Sequence, residues 1–251
     1  MIPLKVAPDN GNWGDILSPV LIKKLTGIDM PVVYGNTHRK QAHLLAIGSL
    51  LRWANKNTTV WGTGFLSNSM KVKGRPHICA VRGPSTRERL QQLGIDCPEI
   101  YGDPALLYPR FYNPKVETKF DLGIIPHYCE KDLYKHLNQN GVLTIDICAG
   151  IDSVVDQVKS CKKIISSSLH GLIVADAYQI PSLWIEASSE VLGKGFKFID
   201  YFRSVGRSDR SSFKVNKETT LELIENQFSQ YKIDIDLDKL ANSFPIHLLE
   251  K

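Results

Sequence analysis

Short apolar runs alternate along this chain with segments whose apolar positions recur at helical spacing. That alternation is the pattern of βαβ units, where a strand buried on both faces is joined to a parallel neighbour through a helix. It predicts strands at Leu4 to Ala7, Leu44 to Ile47, Thr59 to Gly62, Ile78 to Val81, Leu122 to Ile125, Leu143 to Ile147, Lys163 to Ser166 and Ser182 to Ile185. Between the first two, Ile16, Leu17, Val20, Leu21 and Leu25 share one helical face, and Gly27 supplies the stop. Ser85-Thr86-Arg87-Glu88 has the form of a capping box opening a helix to Gly94. Asp152 is placed to cap a helix bearing Val154, Val155 and Val158, and Thr219 to Tyr231 and Leu237 to Leu249 read as two closing helices.

The segment from Asp103 to Lys119 interrupts the alternation with prolines at 104, 109 and 114, and it separates two strand–helix series. The expectation is therefore two α/β domains, residues 1–112 and 113–251, with a site in the cleft between them. Whether the last helix returns to the first domain is left open by the sequence.

At 251 residues, 43% hydrophobic and 23% charged, the chain can bury a real core. It has no apolar run long enough to span a bilayer and no secretion signal at its start. The five cysteines, Cys79, Cys97, Cys129, Cys148 and Cys161, are scattered with no C-x-x-C pair, which argues against zinc and disulfides and for a reducing, cytoplasmic setting. The net charge of +5 suits small anions or an anionic membrane face and is too evenly spread for nucleic acid. No metal-ligand spacing stands out.

The chemistry-bearing residues gather at predicted strand ends. Lys163-Ile-Ile-Ser-Ser-Ser-Leu-His170-Gly171 runs a β-branched strand into three serines, a histidine and a glycine, just where a helix begins. The free N–H groups of such a helix start bind anions. Ser167, Ser168, Leu169 and Gly171 are then substrate-binding candidates and His170 a proton donor or acceptor. The plainer alternative is a polar cap with a packed histidine. Arg82, in Val81-Arg82-Gly83-Pro84-Ser85, leaves another strand end, placed for a bidentate grip on phosphate or carboxylate. Gly11-Asn12-Trp13-Gly14-Asp15 combines two glycines, which let a backbone approach a ligand, with Asn12, Trp13 and Asp15, which can cap a helix or meet sugar hydroxyls. Gly62 and Gly64 flank a short loop, His127 follows a strand in Ile124-Ile125-Pro126-His127-Tyr128, and Lys197 lies three positions before Asp200.

Taken in order, Gly-Asn-Trp-Gly-Asp, Trp-Gly-Thr-Gly, Val-Arg-Gly-Pro-Ser, Tyr-Gly-Asp-Pro-Ala, Ile-Pro-His-Tyr, Ser-Ser-Leu-His-Gly and Lys-Phe-Ile-Asp-Tyr resemble the polysaccharide pyruvyl transferase family. The resemblance runs over residues 10 to 207. It implies two Rossmann-like domains facing across a cleft in the GT-B-like manner. It also implies phosphoenolpyruvate as donor substrate with no further cofactor, and a sugar diol on a lipid-linked oligosaccharide or other glycan precursor as acceptor. Such an acceptor, with the positive charge, leads to an expectation of peripheral association with the inner membrane face. Arg82 and His170 then fall at positions tied to donor binding and proton transfer, with Arg82 and the acceptor side in the first domain. The chain departs from the family pattern at Gln179, where a glycine usually precedes Ile-Pro, a change expected to alter a turn. Two other readings suit the same fold: a nucleotide-sugar glycosyltransferase, for which Glu186 and Glu190 are an ill-spaced pair, and a non-catalytic glycan-binding protein.

Overall fold

The computed structural model describes residues 1–8, 11–35 and 41–248. Ten strands form two five-stranded sheets, and every pairing is parallel. The first sheet holds β1 (Leu4–Val6), β2 (Val32–Tyr34), β3 (His43–Leu45), β4 (Thr58–Trp61) and β5 (His77–Ala80). The second holds β6 (Phe120–Ile125), β7 (Val142–Thr144), β8 (Cys161–Ser166), β9 (Ser182–Glu186) and β10 (Phe213–Lys214). The helices are α1 (Trp13–Thr26), α2 (Pro84–Gln92), α3 (Ile151–Lys159), α4 (Leu169–Ala177), α5 (Phe196–Ser204), α6 (Leu221–Glu225) and α7 (Leu237–Asn242).

The spatial orders, β2-β1-β3-β4-β5 and β7-β6-β8-β9-β10, are the same when each sheet is numbered from its own first strand. Both have the doubly wound order in which the winding reverses beside the first strand. Ligands bind at such reversals, outside the carboxyl ends of the strands. One reversal lies between β1 and β3, the other between β6 and β8. The α/β, two-sheet, GT-B-like architecture expected from the sequence is thus present.

All eight expected strands form, most within a residue or two of their expected bounds, although β7 ends earlier, at Thr144. The two that escape the pattern, β2 and β10, are short edge strands with few buried side chains. Gly27 ends α1 in the left-handed conformation with φ of 74°, as its position predicts. The buried stripe of that helix is Trp13, Leu17, Leu21 and Ile22, so Ile16 and Val20 lie at its margin. The expected capping box does not form. Gly83 is the N-cap of α2 with Pro84 in its first turn, and Ser85 and Glu88 instead hold Arg203 of α5 at 2.9 and 2.7 Å. Likewise Gly150 precedes α3, while Asp152 accepts a hydrogen bond from the Tyr108 hydroxyl at 2.7 Å. The two closing helices begin within two residues of expectation, where Thr220 and Asp236 cap them by accepting from Leu223 N and Lys239 N, but both end early, at Glu225 and Asn242.

The domains are not loosely tethered. The proline-rich segment forms a buried 3-10 turn, Pro104–Arg110, and one apolar cluster runs from Leu4 and Trp13 through Leu106 and Tyr108 to Leu172 and Phe202. α7 crosses back to the first domain, where Trp61 Nε1 donates to Leu240 O at 3.0 Å and Leu240 fills the space over Gly102. Gln179 has φ of 59°, a conformation glycine reaches without strain. The turn is therefore kept despite the substitution, and the glutamine carries its strain.

Candidate active site

The two reversals face each other and enclose a small cavity of about 130 Å³. Its walls are Asn12, Asp15, Ser49 and Leu66 from the first domain and His127, Tyr128, Ser168, Leu169, His170 and Lys197 from the second. Each residue arrives from a strand's carboxyl end. The segment after β1 leads into Asn12, β3 leads to Ser49, β6 to His127, and β8 to Ser168 at the start of α4.

His170 sits in the first turn of α4 and is half-buried. Its Nδ1 lies 2.5 Å from Asn12 Oδ1. That oxygen also accepts from Gly14 N at 3.2 Å, so it is the carbonyl oxygen of the amide and the histidine must donate to it. The proton is therefore on Nδ1, and Nε2 is left as an acceptor. Burial, with Lys197 and Arg82 nearby, pushes the His170 pKa down to about 3, so the ring is neutral. Gly14 exists to admit this ring: a Cβ there would lie 2.4 Å from it. The glycine thus makes room for a side chain, where the sequence suggested room for a ligand.

Lys197 is 9% exposed and lines the cavity, with its ammonium 5.3 Å from the centroid of the Phe198 ring. Among the described residues it forms no salt bridge. Burial, followed by the charge of Arg82, lowers its pKa to about 8. Asp15 faces the same space, and burial raises its carboxyl to about 6 against the opposing pull of Lys197. His127 stacks against Tyr128 with ring centroids 4.3 Å apart, and burial holds it near 4. With the unbonded N–H groups that begin α4, these residues make a compact receptor for an anion bearing more than one charged group.

Arg82 does not reach this cavity. It is 0% exposed, its Nε donates to Asp200 Oδ2 at 3.0 Å, Nη1 to Ser49 Oγ at 2.8 Å and Nη2 to Phe65 O at 2.6 Å. Asp200 also takes Thr86 N at 2.8 Å and Thr86 Oγ1 at 2.7 Å. The strand-end position assigned to Arg82 is right, but its fork is occupied by a carboxylate from the other domain. Its connection to the cavity runs through Ser49. Helix α5 thus turns Lys197 to the cavity, Asp200 to Arg82 and Arg203 to Glu88.

Five other expected residues support the walls from behind. Trp13 is buried and donates to Ile151 O at 3.2 Å, and Gly62 and Gly64 leave room for Pro104 and the Arg82 guanidinium. Between them Thr63 bonds Gly48 O at 2.6 Å and fixes the Ser49 loop. Ser167 receives His127 N at 2.8 Å, and Gly171 leaves room for Ser166 Oγ, so of the three serines only Ser168 lines the cavity. Ser49, Leu66 and Tyr128 were missed. Ser49 had a signal as a polar residue after a glycine just beyond a predicted strand, and Tyr128 as the neighbour of His127 in Ile-Pro-His-Tyr.

The family model for polysaccharide pyruvyl transferase matches residues 32–189. The chain belongs to that family. It is 34% identical to protein L143 of Acanthamoeba polyphaga mimivirus over 92% of this chain and 84% of that protein. It is 26% identical to the succinoglycan biosynthesis protein ExoV of Rhizobium meliloti, strain 1021, over 65% of this chain and 54% of ExoV, so the match spans about half of that relative. No solved structure matches it. The cavity built by the two reversals draws on the same motifs that carry the family resemblance: Asn12 and Asp15, His127, Ser168 to His170, and Lys197.

Proposed function

We propose that this chain transfers pyruvate from phosphoenolpyruvate to two hydroxyls of a sugar, forming a ketal on a cell-surface polysaccharide precursor. The observation that carries the reading is Lys197, without a salt bridge among the described residues, lining a cavity of about 130 Å³ together with Ser168 and Leu169 at the amino end of α4. That receptor suits a small dianionic or trianionic donor. It is below the roughly 300–1,000 Å³ of sites that enclose drug-sized ligands, which disfavours a sugar nucleotide. Glu186, a residue considered for holding a donor sugar, is instead paired with Lys214 at 2.7 Å.

The reaction needs a proton on the methylene carbon, a first hydroxyl on the ketal carbon, departure of phosphate, and closure by a second hydroxyl. Lys197 and the α4 N–H groups hold the phosphate or carboxylate, and stabilise charge as the C–O bond to phosphorus breaks. Ser168 adds a hydroxyl. His170 Nε2 takes the proton of the attacking hydroxyl and returns it to the leaving phosphate. The bound anion opposes the neighbouring cations that depress the imidazole, which improves it as a base. Arg82 acts indirectly, by fixing Ser49 and the position of α5.

Incubation with phosphoenolpyruvate and a panel of synthetic and lipid-linked glycosides, read by mass spectrometry and phosphate release, tests the reading. Pyruvyl addition to a diol is expected. Thermal stabilisation by sugar nucleotides but not by phosphoenolpyruvate would overturn it. Among the described residues no helix is long and apolar enough to cross a membrane. Work on a lipid-linked acceptor would therefore take place at the membrane surface, checked by salt-sensitive binding to anionic vesicles.

A further inference from the structure

Asp15 stands in the first turn of α1 and lines the cavity. It lies three residues beyond Asn12, on the turn of α1 that packs against His170. Among the described residues its carboxyl makes neither a hydrogen bond nor a salt bridge. It faces Lys197 of α5, His170 of α4 and His127 after β6 within the cavity, with Cys148 after β7 and Asp103 before the 3-10 turn as further neighbours. Its Oδ1 lies beside Gly48, 3.4 Å from where a Cβ on that glycine would stand.

A bare carboxylate is out of place in a receptor for a multiply charged anion, because like charges repel. The conflict disappears if the group is protonated when the donor is bound. His170 cannot supply that proton: the Asn12 contact fixes its only hydrogen on Nδ1, where it is donated to Asn12 Oδ1. Lys197 is committed to the anion.

We propose that Asp15 is the catalytic acid, donating its carboxyl proton to the methylene carbon of phosphoenolpyruvate. This rests on the transfer reaction proposed above. In the step, the C=C electron pair takes the Asp15 proton to form the methyl group, and the first sugar hydroxyl bonds to the ketal carbon while losing its proton to His170 Nε2. The C–O bond to phosphorus then breaks, and phosphate leaves with the His170 proton. The second hydroxyl adds to the resulting oxocarbenium carbon, and its proton returns to the Asp15 carboxylate. Both side chains end as they began, and no oxidant or metal enters the balance. Burial already places Asp15 near 6, and the arriving negative charge raises it further while Lys197 is drawn to the ligand.

The test is Asp15→Asn, which keeps the shape and removes the proton. Calorimetric titration with phosphoenolpyruvate is expected to give affinity equal to or tighter than wild type, which also reports a folded site. In buffers of different ionisation enthalpy, wild type should take up more protons on binding than the variant. Turnover with the best acceptor should fall about 100- to 10,000-fold with little change in the acceptor KM. The descending limb of the wild-type pH profile should also vanish in the residual activity. A variant with near-normal turnover, or one whose loss lies only in the acceptor KM, overturns the assignment while leaving the transfer reaction intact. Wild-type protein that neither binds phosphoenolpyruvate nor releases phosphate from it overturns both.

Discussion

Replacing Arg82 with alanine should damage the fold before it damages donor binding. The guanidinium and the Asp200 carboxylate are each 0% exposed and 3.0 Å apart, and they belong to different domains. Removing one member of such a pair leaves a buried charge and typically costs about 3–5 kcal/mol. Here Asp200 would keep its two bonds from Thr86, while Ser49 Oγ and Phe65 O would each lose a donor. The expected loss is therefore about 3 kcal/mol or somewhat more, a large share of a typical stability of about 5–15 kcal/mol. By contrast Arg203→Ala, at the exposed pair with Glu88, should cost only about 0–1 kcal/mol. Urea unfolding measures both. The double variant Arg82→Met with Asp200→Asn removes both charges and should recover more than half of the loss, which a ligand-binding role would not predict. An Arg82→Ala protein losing less than about 1 kcal/mol while its phosphoenolpyruvate affinity falls sharply would put the guanidinium on the ligand and refute this account.

Three further outcomes are expected. Gly14→Ala places a methyl group 2.4 Å from the His170 ring, so it should abolish transfer and loosen the domain contact, read by activity and by hydrogen exchange in α4. Gln179→Gly relieves a left-handed residue at φ of 59° and should raise stability by about 1 kcal/mol, seen as a higher Tm with unchanged kinetics. Lys197 is held near 8 against an ordinary 10.5, so the folded protein binds fewer protons than the unfolded one between those values, and burial of the ammonium destabilises below 8 and is relieved as pH rises toward 10.5. Phosphoenolpyruvate affinity should move the other way, falling as pH rises through about 8 in wild type and staying weak and flat in Lys197→Met.

The strands were legible because parallel strands buried on both faces leave continuous apolar runs, as Ile164, Ile165 and their neighbours do in β8. β2 and β10 lack that double burial and are only three and two residues long. Local signals failed where a distant residue competed for the same atoms. Ser85 and Glu88 spell a capping box, but Arg203 engages both from the other domain. The same limit applied to chemistry. A strand-end rule located Asn12, His127, Ser168 and His170, since it depends only on local order, and all four line the cavity. It also located Arg82, whose partner Asp200 is 118 positions away and buries the fork. Lys197 was a candidate through its place three positions before Asp200, and that spacing on α5 sends one to the cavity and the other to Arg82.

That division on α5 bears on why the receptor is formed before any ligand arrives. Most of the anion-binding groups, Lys197 and the start of α4, belong to the second domain, whereas Asp15 and Ser49 belong to the first. If the domains moved freely, the Lys197 ammonium and the Asp15 carboxyl would seldom line one cavity. Three contacts prevent this: Asn12 with His170 at 2.5 Å, Arg82 with Asp200 at 3.0 Å, and Trp61 with Leu240 O at 3.0 Å. All three use residues of the motifs that carry the resemblance, and in the first two both partners belong to them and bond side chain to side chain. Much of what those motifs specify is therefore the relative position of two halves. Preorganisation of this kind lowers the reorganisation needed when charge moves from the ketal carbon to phosphate. It also explains why glycines recur beside the site, since Gly14, Gly64 and Gly83 lie where the opposing His170, the Arg82 fork and the Asp200 backbone approach within 2.6 Å of an added Cβ.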